Sequence, residues 1–329
     1  MATVSRRLAL FRALMMANAA ITGAVLFIVW RHPYLGLVNF MGPLLVSCGA
    51  MSEPSTMRRG WGFVRNCSLS ALIMWGFELT ANHNLLALIY VATVAYLLHK
   101  YLKNTISACS IMLAGLMNVG YVSYINSADA AISLFVASLI IALLYIVFEK
   151  LFCWPSDMVI IPTVPPLDNG AVWRRTVMFT LAYYLVEITG WEESFWITMS
   201  VGLACSGGSV GTELRQLAWQ RGLLTPFGVL LAVAVMQGAV YFDYRFLYLV
   251  PLIGFSEFYV LNRTGNYPIY YFMFILMLTM NDTLLAGTGH FGNPVNYFFQ
   301  AASCIFIGTA VILCVEPSTA FSLRLPLKQ

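Results

Sequence analysis

Four carboxyls lie inside long apolar runs of this sequence: Glu78, Glu187, Glu257 and Asp282. On insertion scales a charged group near the centre of a membrane helix costs roughly 2.5–3.5 kcal/mol, so such a residue is a functional candidate by default. Apolar surroundings favour the neutral acid over the carboxylate, which suits a group that takes up and releases protons. At about 1.5 Å per helical residue, Glu257 is some six residues from Arg263 and lies deepest, while Asp282 and Glu187 sit nearer the opposite ends of their runs. The structural alternative for each is a carboxyl held neutral, or paired with Arg or Tyr.

Two amides, Asn118 and Asn281, also interrupt apolar runs. Their side chains can bond a carboxylate or hydroxyl substrate, or simply tie two helices together. Two segments are broken by small residues and proline: Ser47 to Ser55, containing Ser52, and Gly202 to Thr212, containing Ser206, Gly207, Gly208 and Ser209. Loosened helices inside a membrane offer free N–H and C=O groups, and a pair of them at matching positions points to a binding site. Close packing or an ordinary turn would use the same residues. The glycine-rich stretch is no nucleotide loop, because Gly-Lys-Ser/Thr does not follow it. Basic residues Arg58, Arg59, Arg65, Arg215 and Arg221 gather near these segments and are placed to attract an organic anion.

These groups need elements to hold them, and composition says which. Of 329 residues, 60% are hydrophobic and 10% charged, against about 25% charged in a soluble globular domain. So few charges cannot clothe a water-soluble surface. Apolar runs between polar breaks predict helical spans near 9–30, 35–51, 61–80, 84–102, 105–125, 128–149, 174–192, 194–211, 221–241, 244–262, 266–286 and 294–316. The run after Arg12 continues to Trp30, which favours a retained first helix over a cleaved signal peptide. With alternating spans, every one of the 18 Lys and Arg residues except Arg31 and Arg245 falls at a cytoplasmic end. The expectation is an all-α integral membrane protein of about 12 transmembrane helices with both termini in the cytoplasm. Residues 153–173 hold Pro155, Pro162, Pro165 and Pro166 and read as a cytoplasmic linker between residues 1–152 and 174–329.

The two parts resemble each other. A shift of 156 residues lays Arg59 on Arg215 and Arg65 on Arg221; shifts of 163 and 167 lay Asn118 on Asn281 and Glu149 on Glu316. Six spans in each part make the repeats parallel, a transporter plan with the substrate path at the repeat interface.

Phe195-Trp196-Ile197-Thr198 opens a span, Ser209-Val210-Gly211-Thr212-Glu213-Leu214-Arg215 follows, and Gln220-Arg221-Gly222-Leu223-Leu224-Thr225-Pro226-Phe227-Gly228 opens the next. This order resembles the fusaric acid resistance and aromatic acid exporter superfamily over about 40 residues. Two extra residues separate Gly222 from Thr225, and the first part keeps only Arg59 and Arg65 of the pattern. The resemblance implies export of aromatic or other organic acids across a bacterial inner membrane, commonly with a periplasmic membrane-fusion protein. It also implies a compact subgroup without large cytoplasmic domains. Trp196 is then a candidate wall of the path for a ring-bearing substrate.

The expected function is therefore a proton-coupled exporter of small organic acids. A passive organic-anion channel is the alternative, since it would use similar basic residues around a helical pore. The seven cysteines are widely spaced and the four histidines isolated, so no metal site, cofactor or disulfide framework is expected. No nucleophile with an adjacent base is legible, and enzyme chemistry is not expected. The lipid bilayer is the implied partner, nucleic acid is not, and a homo-oligomer is compatible with the sequence.

Overall fold

The computed structural model describes residues 53, 55–80, 83–116, 127–151, 166–191, 193–205, 209–239 and 294–317. The elements among them are all α-helices: α1 Thr56–Thr80, α2 Asn84–Tyr101, α3 Thr105–Gly115, α4 Ser127–Leu151, α5 Asn169–Thr189, α6 Phe195–Cys205, α7 Gly211–Ala239 and α8 Pro294–Val315. Three are long and apolar enough to cross a membrane: α2, α4 over Ala128–Leu151, and α8 over Phe298–Val315. The expected spans 9–30, 35–51, 244–262 and 266–286 lie outside the described residues. So do the site candidates Ser52, Asn118, Ser206, Gly207, Gly208, Glu257, Asn281 and Asp282, and residues 153–165 of the linker.

Local chemistry accounts for several helix ends. Asn104 caps α3, its side chain accepting from the Ile106 N–H at 3.0 Å. Asp168 does the same for α5 through the Ala171 N–H at 2.6 Å. At the far end of α5, Gly190 adopts φ +57°, the left-handed cap that glycine takes without steric cost. Two helices begin earlier than polarity predicts. α1 starts at Thr56 and α7 at Gly211, so Arg58, Arg59 and Arg215 sit on helical turns. The reason is propensity: Glu213 to Ala218 are mostly strong helix formers, and their charge marks an exposed turn, not a break.

α1 packs on α4, α7 on α8, and α2 on α5; α6 lies against α5 and α8. α3 touches α1, α2 and α6, and all of its residues from Thr105 to Gly115 are buried. Small and large residues divide between inside and outside. α2 buries Ala87, Val91 and Ala95 in one stripe, whereas Leu85, Ile89 and Leu97 stand exposed. Leu79, Ile132, Leu143, Ile188, Phe299 and Phe306 are exposed on other helices. Small side chains let helix backbones approach, and large apolar ones facing outward suit an apolar solvent.

α3 and α6 pack tightly at Gly202. A Cβ there would fall 2.4 Å from Leu113 Cδ1 and 2.9 Å from its Cγ. Gly202→Ala is therefore expected to lower stability by about 1–3 kcal/mol through overpacking. Denaturation in detergent checks this, and Leu113→Ala added to the variant should recover part of the loss. Equal midpoints for wild type and Gly202→Ala would mean that α3 and α6 are not in this contact.

Candidate functional site

Two glutamates organise one end of the described helices. Glu149, at the end of α4, takes the guanidinium of Arg59 on Oε1, which also accepts from Thr56 Oγ1 at 2.6 Å. Arg59 is fully buried and Glu149 is 2% exposed; Arg59 Nη1 also reaches the Glu53 carbonyl at 2.8 Å. Glu316, just beyond α8, accepts from Arg174 Nε at 2.9 Å and from the Gly211 N–H. Arg215 donates to the carbonyls of Leu313 and Glu316, satisfying acceptors at the end of α8. Thus Arg59 ties α1 to α4, and Arg215 ties α7 to α8.

A second cluster joins α2 and α3 to α5, α6 and the start of α7. Arg175 on α5 is 1% exposed. Its Nη2 donates to the Ser209 carbonyl, in the broken segment between α6 and α7, and its Nη1 approaches Cys109 Sγ at 3.9 Å. The Cys205 thiol, at the end of α6, completes its contacts. His99 on α2 lies on the other side of Cys109, with Nε2 at 3.3 Å from Sγ and Nδ1 at 2.7 Å from the Ala95 carbonyl. A carbonyl only accepts, so Nδ1 carries the proton and a neutral His99 receives the thiol hydrogen on Nε2. Among the described residues, no carboxylate touches the Arg175 guanidinium; Glu316 acts on it from farther away. On neighbouring α3, the hydroxyls of Ser107 and Ser110 are buried with no partner among the described residues.

A third arrangement lies between α6, α7 and α8. Trp196 and Arg221 share the wall of a small cavity with Ser200, Thr225 and Thr309. Both are buried, at 2% and 8% exposure.

Of the candidates read from sequence, the structure brings Ser209 to Arg175, and Trp196 to Arg221. Arg65 is exposed and bonds Asn66 Oδ1 at 3.0 Å; Thr212 is exposed on the first turn of α7. Glu78 and Glu187 are exposed near the ends of α1 and α5, with the Tyr183 hydroxyl on Glu187. Arg175 was hidden in the sequence as half of a basic Arg174-Arg175 pair that membrane topology explains by itself. The signal was its spacing: Val172, Arg175, Thr176, Phe179, Ala182, Tyr183 and Val186 form one helical face, and all are buried.

Set beside known proteins, the chain matches no family, no curated sequence and no solved structure.

Proposed function

We propose that this chain is a membrane transporter that exports small aromatic or otherwise carboxylated compounds, and that Arg175 receives the substrate carboxylate. The observation that carries this reading is a buried guanidinium whose direct partners among the described residues are a carbonyl and two thiols. An ionised group in such a place is costly and needs a counter-charge. The planar fork of arginine binds a carboxylate through two parallel hydrogen bonds, and the charge also selects anions over neutral solutes. The buried hydroxyls of Ser107 and Ser110 offer further donors on the adjoining helix.

The rest of the architecture follows as part of the same proposal. Twelve spans lie in a bacterial inner membrane with both termini inside, as two parallel repeats. The matching contacts of Arg59 with the end of α4 and of Arg215 with the end of α8 support that pairing. In this frame Arg175 lies between the repeats, where parallel-repeat transporters place their substrates. Glu257 and Asp282 are the proposed proton carriers, Asn118 and Asn281 line the path, and a periplasmic membrane-fusion protein is the proposed partner.

Purified protein in liposomes, given a panel of aromatic acids with a pH gradient imposed or absent, tests the function. Uphill movement that needs the gradient is expected, with coupling lost in Glu257→Gln or Asp282→Asn. Downhill flux indifferent to the gradient would replace the exporter by an anion channel, which would use Arg175 equally well. No flux of any acid would overturn both.

A further inference from the structure

We infer that the outer surface where the end of α2 meets the start of α5 is a binding site for one anionic phospholipid, with its phosphate at Lys100 and Lys103. Two contacts one turn apart join the helices there: the Tyr96 and Trp173 rings lie 4.9 Å apart, and Lys100 Nζ donates to Asn169 Oδ1. Both contacts belong to the surface, since Trp173, Lys100 and Asn169 are exposed. An ammonium carries three N–H donors, so among the described residues Asn169 leaves two of those on Lys100 for an outside acceptor. Lys103, in the connection from α2 to α3, is exposed and meets no acceptor among the described residues.

Along both helices from there the surface is mostly apolar. On α2, Leu86, Ile89, Thr93 and Leu97 form one exposed stripe that ends at Lys100, and on α5 Val177, Tyr184 and Ile188 are exposed beyond Trp173. At about 1.5 Å per residue, Leu86 to Leu97 runs about 16 Å, which matches one leaflet of a hydrocarbon core about 30 Å thick. Cations beside an aromatic pair, at the end of an apolar stripe of this length, are complementary in charge and depth to a phosphate, its glycerol and an acyl chain. The acids nearby are engaged: Asp168 caps α5 through the Ala171 N–H, and Glu316, 2% exposed, holds Arg174 and the Gly211 N–H. Asp168 is itself exposed, and the two lysines outweigh it. A zwitterionic lipid would bring its own cation toward the lysines; an anionic one does not. This inference requires α2 in a bilayer and is independent of the transport reading.

The test is native mass spectrometry and thermal unfolding of the purified full chain in detergent, with phosphatidylglycerol or phosphatidylcholine of identical acyl chains added. One phosphatidylglycerol per chain is expected, held at least about fivefold more tightly than phosphatidylcholine, with a saturable rise of a few degrees in the unfolding midpoint. Lys100→Gln combined with Lys103→Gln should bring the two lipids within about twofold of each other. Lys150→Gln, at an exposed lysine ending α4, should keep the preference. Lys100 also holds Asn169, so Lys103→Gln alone, which should at least halve the preference, decides if the double variant does not fold. Equal retention of both lipids by the wild type would overturn the proposal. So would a preference unchanged in a folded lysine variant, or one lost as fully in Lys150→Gln, which would mean diffuse charge in place of a site. The same midpoint rise with inorganic phosphate alone would assign a free anion and overturn the lipid, and a dimer that the lysine variants dissociate would give the face to a second copy and overturn it too.

Discussion

Glu149→Ala is expected to lower stability by about 3–5 kcal/mol, because it leaves Arg59 as a buried charge without its counter-ion. Arg59 is fully enclosed, and the carboxylate it loses also holds Thr56. The cost is that of stranding a charge, which differs from the worth of the pair. A double variant, Arg59→Met with Glu149→Leu, should therefore be much nearer to wild type than Glu149→Ala alone, with coupling of more than about 1 kcal/mol in the double-mutant cycle. Arg174 with Glu316 makes the internal comparison. The Arg174 side chain is 30% exposed, so solvent screens its charge and the loss in Arg174→Ala should be the smaller one. Denaturation midpoints in detergent measure these three variants and the single variants Arg59→Met and Glu149→Leu that close the cycle. If Glu149→Ala and the double variant unfold together, the pair is not what holds α1 to α4.

Arg175→Ala is expected to have the largest effect on activity. Removing a buried group that binds an opposite charge typically costs about 2–5 kcal/mol, which corresponds to roughly 30- to several-thousand-fold in affinity for a carboxylated substrate. Arg175→Lys keeps the charge and loses the two-pronged geometry, so it should fall between wild type and alanine. The residue also holds the Ser209 carbonyl, and a loss of folding must be told apart from a loss of recognition. Two measurements do this. Melting in detergent reports the structural part, and binding of an acid against its neutral amide reports the charge: Arg175→Ala should weaken the acid and leave the amide within a few-fold. Equal weakening of both would make Arg175 a structural residue, and undiminished acid binding would remove it from the site altogether.

Much of the helical framework is legible in the sequence because one physical quantity fixes it. Runs of apolar residues long enough for a membrane stand between polar breaks, so α2, α4, α5 and α8 appear within a few residues of where hydropathy places them. Helix starts were less legible. Polarity and helix propensity disagree over residues 211–220, and propensity wins, since backbone hydrogen bonding within a helix does not require apolar side chains. The shift of 167 residues from Glu149 to Glu316 was visible as an alignment, but its meaning was not. Only when α4 packs on α1 and α8 on α7 does each glutamate or its helix end meet the arginine that the shift of 156 residues pairs.

By itself, then, the sequence determined the helical class, the apolar helices suited to a membrane and the positions of unusual polar groups, because those depend on residues close along the chain. Tertiary structure alone decided which polar groups meet. His99, Cys109, Arg175, Cys205 and Ser209 come from five places in the chain and carry no shared spacing. Arg221 and Trp196 likewise meet across two helices at the wall of a small cavity. Periodicity reports which face of a helix is buried and so sets Arg175 apart from Arg174, but the neighbours that bury that face are set by packing between helices distant in sequence.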